Sequence, residues 1–213
     1  MTRSVSWQQA RLVALDLEGT GAQDHDEAIL EIAVVPLANG QPDMPNAYCT
    51  LVNPGRSVPR RPWISPGLTS SALAGAPAIE VVEPELARRL DGAFIVGHNV
   101  NVDWRLLRRR FPSVRPRALI DTLRLARQVH PGGKGNNLAK LLDRHQLTAT
   151  VTGLARDSRP HRALWDTTGT ALLLGALVTA HYPDGVTIDE LLTAAGLEAR
   201  ATKEANVQGE LFS

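Results

Sequence analysis

Arg11-Leu12-Val13-Ala14-Leu15-Asp16-Leu17-Glu18 is a short apolar run that ends in acids, and it reads as a buried strand. Side chains two apart on a strand project from the same face, so Asp16 and Glu18 stand side by side. Gly19-Thr20-Gly21 then breaks the strand, and a polar loop runs to Glu27. Residues 28–37 (AILEIAVVPL) read as a second strand and residues 47–52 as a third. Asn39-Gly40 and the Pro/Asn cluster over residues 42–46 are turn chemistry, which suits antiparallel neighbours.

Beyond them helices and strands alternate. Residues 53–77 are irregular and proline-rich, with a short helix expected over 68–73, and a longer helix follows over 78–90. Residues 93–96 form a fourth strand, and Gly97-His98-Asn99 leads into a helix through about Phe111. Residues 118–120 form a fifth, with Asp121 placed to cap the helix that reaches Val129. The loop 130–137 is glycine-rich but lacks the spacing of a P-loop. Asn137 caps a helix over 138–145, and residues 148–159 read as polar and mobile. A long helix runs from about Pro160 to His181, and Thr187-Ile188-Asp189-Glu190 is a capping box for a short helix ending at Gly196. The expected fold is α/β, a mixed five-stranded sheet flanked by helices. One domain is expected over residues 1–182, followed over 183–213 by a short helix and a flexible C-terminal tail.

Acids recur in two later segments. Asp103 closes Gly97-His98-Asn99-Val100-Asn101-Val102-Asp103, and Asp166 closes Pro160-His161-Arg162-Ala163-Leu164-Trp165-Asp166. Four carboxylates in three separated segments, plus one histidine, is what a two-metal phosphoryl-transfer site needs: hard oxygens for the ions and a base for the attacking water. A histidine titrates in the useful range for that proton. Five residues along a helix is a rotation of about 140°, so His161 and Asp166 do not share a face. His161 is therefore expected at or before the first turn, on a loop able to swing toward substrate, with Asp166 inside the helix. Taken singly, each residue has a plainer explanation: a solvated turn for Asp16 and Glu18, a cap or arginine partner for Asp103, an exposed loop for His161. Asp121 is assigned to capping, not to a fifth ligand.

A length of 213 residues, 43% hydrophobic and 21% charged, suits an ordinary globular protein with room for a core. The single thiol, Cys49, rules out an internal disulfide framework and fits a reducing cytoplasm. No apolar run approaches the roughly 20 residues of a membrane span, and residues 1–11 have no signal-peptide core, so a cytoplasmic location without membrane partners is expected. The net charge of +1 says nothing about partners. Its distribution says more: Arg105, Arg108, Arg109, Arg110, Arg115, Arg117, Arg124 and Arg127 fall in one stretch with Asp121 as the only acid. A solvated helix face and a phosphate-binding patch explain that stretch equally well.

The three acidic blocks resemble the three motifs of the DEDDh 3′→5′ exonuclease superfamily, which includes the proofreading epsilon subunit of bacterial DNA polymerase III and ribonuclease T. The first is Leu15-Asp16-Leu17-Glu18-Gly19-Thr20-Gly21, with Ile29-Leu30-Glu31-Ile32-Ala33 following as the family's second strand does. The second and third end at Asp103 and Asp166. Leu51-Val52-Asn53-Pro54-Gly55, Ala74-Gly75-Ala76-Pro77 and Ile120-Asp121-Thr122-Leu123-Arg124-Leu125-Ala126 are also similar to family text, so the resemblance covers roughly residues 12–178. It implies a ribonuclease-H-like fold and removal of nucleotides from 3′ ends, of single-stranded DNA in proofreading or repair, or of RNA in end trimming. A catalytically idle module that binds nucleic acid or a partner is the reading from another class. Carried over by position, Asp16, Glu18, Asp103 and Asp166 would hold two divalent ions, Mg²⁺ or Mn²⁺, and His161 would be the general base. Gly19, Thr20 and Leu68 fall where the family meets substrate. His98 and Asn99 either pack behind the site or touch substrate.

Four positions depart from the family. Gly19-Thr20 stands where two threonines are common, Val102 where phenylalanine is, Trp165 where a smaller residue is, and Pro66 where histidine is frequent. None removes a ligand; they bear on substrate fit and rate. The chain ends in Gln208-Gly209-Glu210-Leu211-Phe212-Ser213, which resembles the peptide by which bacterial replication proteins dock on the sliding clamp. Leu211 and Phe212 would be apolar anchors and Gln208 an orienting hydrogen bond. The alternative is a disordered tail that happens to end in two apolar residues.

Overall fold

The computed structural model describes residues 5–21, 26–132 and 135–199. The opening apolar run forms strand β1 (Leu12–Gly19) in the middle of the sheet. It pairs antiparallel with β2 (Ile29–Ala38), whose outer edge carries β3 (Gln41–Pro42) and β4 (Tyr48–Leu51), both antiparallel to it. On the other side β1 pairs parallel with β5 (Phe94–Gly97), and β5 parallel with β6 (Ala118–Asp121). Strand β7 (Gly196–Leu197) closes that edge antiparallel to β6.

Alternation along β1 sends Leu12 and Ala14 to one core and Val13 and Leu15 to another. Helix α1 (Ser70–Leu73) packs through Leu73 on Leu30. Helices α2 (Ile79–Leu90) and α3 (Asn101–Arg110) cover the Val13 and Leu15 face. The Leu12 and Ala14 face is covered by α4 (Thr122–Val129), α5 (Leu138–Arg144), α6 (Thr148–Leu154), α7 (Ala163–His181) and α8 (Ile188–Ala195). By length and composition alone α7 could cross a membrane, but 61% of its apolar window is buried inside the fold, as in a core helix.

Five strands lie where the apolar runs place them. The structure adds β3 and β7, two-residue pairings too short to show a period of two in sequence. Leu197, expected in the flexible tail, is held across from Leu119. Residues 148–154, expected to be polar and mobile, form α6: Val151 is fully buried, and the Trp165 indole N–H donates to Thr152 Oγ1 at 3.3 Å. A single apolar anchor on a short helix leaves no periodicity to read. The long helix begins at Ala163, three residues later than expected. The caps hold as read, with Asp121 accepting from Leu123 N, Asn137 from Lys140 N, and Thr187 forming the capping box with Glu190.

Candidate active site

Strand parity and the docking of α7 bring three of the four acids together. Asp16 and Glu18 continue the face of Leu12 and Ala14, on which α7 packs, and Asp166 sits in the first turn of α7. One carboxylate oxygen from each of Asp16, Glu18 and Asp166 lies within 4.8 Å of the other two. Asp103 comes from the first turn of α3, in the opposite helical layer. It stands outside that trio, and its Oδ1 accepts the Leu17 N–H at 3.2 Å.

Burial is the largest influence on all four carboxyls and disfavours their charged forms. Glu18 is pushed up to about 7, Asp103 up to about 7 and Asp166 up to about 6. Asp16 is raised well above the ordinary range, first by burial and then by Asp103, Asp166, Glu18 and Glu31. The Ser65 hydroxyl donates to Glu18 and opposes the rise there. A cluster of mutually repelling carboxyls, each pushed above its ordinary range, is relieved by a divalent cation. Its donors are all hard oxygens, with no thiol or imidazole among the trio, so the set fits Mg²⁺ or Mn²⁺.

Strand β2 supplies a partner the motifs did not reveal. Glu31 lies directly across from Glu18 in the β1–β2 register, an arrangement of like charges that destabilises a sheet. Arg162 relieves it: its Nε and Nη2 both donate to the Glu31 carboxylate at 2.7 Å, and Ala163 N donates there at 3.1 Å. The available signal was a lone acid inside an otherwise apolar strand, since a buried charge needs a partner. This clasp fixes the chain just beyond His161, which is exposed, outside the helix, with φ 63°. Its backbone N–H donates to Asp166 Oδ1 at 3.4 Å. The base candidate therefore precedes the first turn, as its spacing from Asp166 predicts.

The expected substrate contacts divide. Gly19 is required by close approach: a Cβ there would lie 2.9 Å from the Ala28 carbonyl oxygen and 3.2 Å from Leu106 Cδ2. Thr20 is buried and ties the loop to β2, donating from N to Ala28 O and accepting Ala28 N at Oγ1, both at 3.0 Å. Leu68 is buried with Leu30 and Leu73. His98 is wedged between Thr122 Oγ1 (2.9 Å) and Asn136 O (2.8 Å), and burial lowers its pKa and favours the neutral ring. Asn99, at φ 62°, donates from N to Asp121 Oδ1 at 2.9 Å. Gln208, Leu211 and Phe212 lie outside the described residues. Trp63, which the motifs did not single out, is 49% exposed beside the site, its indole N–H donating to Thr20 O at 3.0 Å. It comes from the same segment as Ser65.

Residues 13–174 match the RNase_T family model, described as exonuclease. The chain is 32% identical over 199 residues to a DNA polymerase III subunit epsilon-like protein of Rhodobacter capsulatus, covering 91% of this chain but only 27% of that protein. It is 31% identical over 163 residues to DNA polymerase III subunit epsilon of Aquifex aeolicus, covering 75% of this chain and 76% of that one. A solved structure of exonuclease X in complex with 5′ overhanging duplex DNA superposes with a TM-score of 0.61 at 28% identity, over 86% of this chain and 98% of that one. With its mixed sheet, its two helical layers and these relatives, the chain belongs to the RNase T exonuclease family and has the ribonuclease-H-like fold of its structural neighbours.

Proposed function

We propose that the chain is a metal-dependent 3′→5′ exonuclease that removes nucleotides from 3′ ends of single-stranded DNA in proofreading or repair, within the cytoplasm. The observation that carries this reading is the half-buried cluster of Asp16, Glu18 and Asp166, with the buried Asp103 beside it, all raised above the ordinary carboxylate range chiefly by loss of solvent. In this reading these four carboxylates hold two divalent ions, Mg²⁺ or Mn²⁺. When bound, such a pair shields the phosphodiester charge and makes hydroxide accessible near neutral pH. The carboxyls give up their protons as cations arrive. His161 takes a proton from the attacking water, and the Glu31–Arg162 clasp sets where His161 stands. Ser65 holds Glu18 in orientation. The exposed face of Trp63 is suited to stacking an unpaired base, which supports a single-stranded substrate. DNA rather than RNA rests on the names of the relatives, two of them DNA polymerase III epsilon proteins or like them.

The test is labelled single-stranded DNA and RNA, with and without Mg²⁺ or Mn²⁺, using the parent and Asp16→Ala. Shortening from the 3′ end that needs metal and is lost in the variant is the expected result. Digestion by Asp16→Ala at the parent rate would show the site to be elsewhere. Docking of the tail on the sliding clamp through Gln208, Leu211 and Phe212 is a separate part of the proposal. Saturable binding of the tail peptide to the clamp, lost in a Leu211→Ala, Phe212→Ala peptide, is its expected outcome.

A further inference from the structure

The arginine stretch that the motifs leave unexplained has a definite place. Between α3 and the β6–β7 edge runs a groove of about 1160 Å³, lined by Arg105, Arg108, Arg109, Arg115 and Arg117, with Glu198 as the only acid among the described residues that line it. The whole chain carries a net charge of +1, so this concentration is local. Arg105 approaches Glu27 at 3.7 Å. Among the described residues, the guanidinium groups of Arg108, Arg109, Arg115 and Arg117 pair with no acid, although the Arg115 backbone N–H donates to Asp91 Oδ1 at 2.7 Å. Two of them are held in place by uncharged groups. Arg117 lies over the Phe94 ring, 5.2 Å from its centroid, and Arg115 donates to the Pro112 and Val114 carbonyls. Arg124 donates to Gly196 O at 2.6 Å and pins the edge strand that forms one wall. Five arginines lining one groove outnumber its acids and repel one another, and a polyanion relieves that repulsion. The planar fork of arginine suits phosphate oxygens, two N–H groups at a time.

The groove does not face the carboxylates. At about 100° per residue, Arg108, Arg105 and Arg109 lie roughly 140°, 200° and 240° around α3 from Asp103. A strand leaving the acidic cluster must cross a helix about 10–12 Å wide to reach them. At about 3.4 Å per stacked nucleotide, that is roughly three nucleotides or more from the end being cleaved. We propose that this groove is a second nucleic-acid site, which grips the phosphodiester backbone of the substrate at a distance from its 3′ end. The identity of the polyanion as substrate rests on the exonuclease reading; the groove's affinity for phosphodiesters does not.

The test uses the full chain and Arg108→Gln, Arg109→Gln, both on the helix surface and outside the carboxylate site. Binding of a labelled single strand of about 20 nucleotides, and of a duplex with a 3′ overhang, is titrated against salt in EDTA, where no turnover occurs. Each lost phosphate contact removes about 0.7 from the slope of log affinity on log salt for a single strand, so the variant should lose about 1.4 and bind roughly tenfold more weakly. The probe that loses more affinity identifies whether single strand or duplex lies there. With Mg²⁺, kcat/KM on a trinucleotide should be unchanged while KM for the long strand rises. Unchanged binding and slope on both long probes overturn the proposal and leave an acidic protein as the groove's partner. A trinucleotide loss as large as the long-strand loss also overturns it, since the variant then acts through the carboxylate site. If the parent digests nothing yet the two proteins differ in binding, the exonuclease reading fails and the groove stands.

Discussion

Asp16 is crowded by Asp103, Asp166, Glu18 and Glu31, each of which raises its pKa further after burial has done so. Neutralising one member of such a group removes repulsion and no apolar packing. Asp16→Asn should therefore abolish metal-dependent shortening while stabilising the metal-free protein by about 1 kcal/mol, in the range typical of relieving a strained functional site. Chemical denaturation in EDTA checks it, and a variant less stable than the parent would show that Asp16 is held by attractive partners instead. His161 is the opposite case, exposed and outside the cluster. Replacement by alanine should lower turnover by about 10²- to 10⁴-fold, as for a lost general base, and higher pH should partly restore the rate. Metal binding measured by calorimetry should barely change. A large drop in metal affinity would move the imidazole among the ligands.

Helix α7 reaches the site because its start is clasped to β2. Glu31 has little exposure and receives four donors, two from Arg162, one from Ala163 N and one from the Cys49 thiol at 3.9 Å. Glu31→Ala would leave Arg162 facing Glu18 alone and Ala163 N without its acceptor. Removing one partner of a fully buried pair costs about 3–5 kcal/mol. Arg162 keeps some contact with water, so a loss of about 2–3 kcal/mol is expected here. Urea unfolding measures it, and a loss below about 0.5 kcal/mol, the scale of an ordinary surface change, would show that the clasp does not hold the helix. What the chain made legible in advance follows the same logic. Strands 1, 2 and 4 to 6 carry apolar runs of their own, and Asp16, Glu18, Asp103, His161 and Asp166 announce themselves by motif. Glu31 and Arg162 are 131 residues apart, and nothing local names one as the partner of the other. Trp63 sits in an irregular segment where no period tells an exposed ring from a buried one. The α6 helix and the β7 strand depend on contacts with Trp165 and Leu119 that only the folded chain supplies.

At the scale of the molecule, the raised carboxyls make stability depend on pH in a direction opposite to that of most acid-rich proteins. Their folded pKa values lie above the ordinary value of about 4, so between about pH 4 and 7 the folded chain binds more protons than the unfolded one. Stability of the metal-free protein is then greatest at the acid end of that window. It is lost as pH rises through about 6 for Asp166 and about 7 for Glu18 and Asp103. Denaturation midpoints in EDTA at pH 5, 6, 7 and 8 should fall in that order, and Mg²⁺ added at pH 8 should recover the loss; midpoints that rise with pH would contradict the burial of these groups. The two helical layers carry one more consequence. Asp16 and Glu18 stand on a central strand, Asp103 on a helix of one layer, and Asp166 on the long helix of the other. On a ribosome these arrive in turn, the last only when the seventh helix has left the exit tunnel and closed on the sheet. A nascent chain, or a fragment cut before that helix, carries three of the four acids and no clasp, and so the candidate site stays incomplete until that helix has docked.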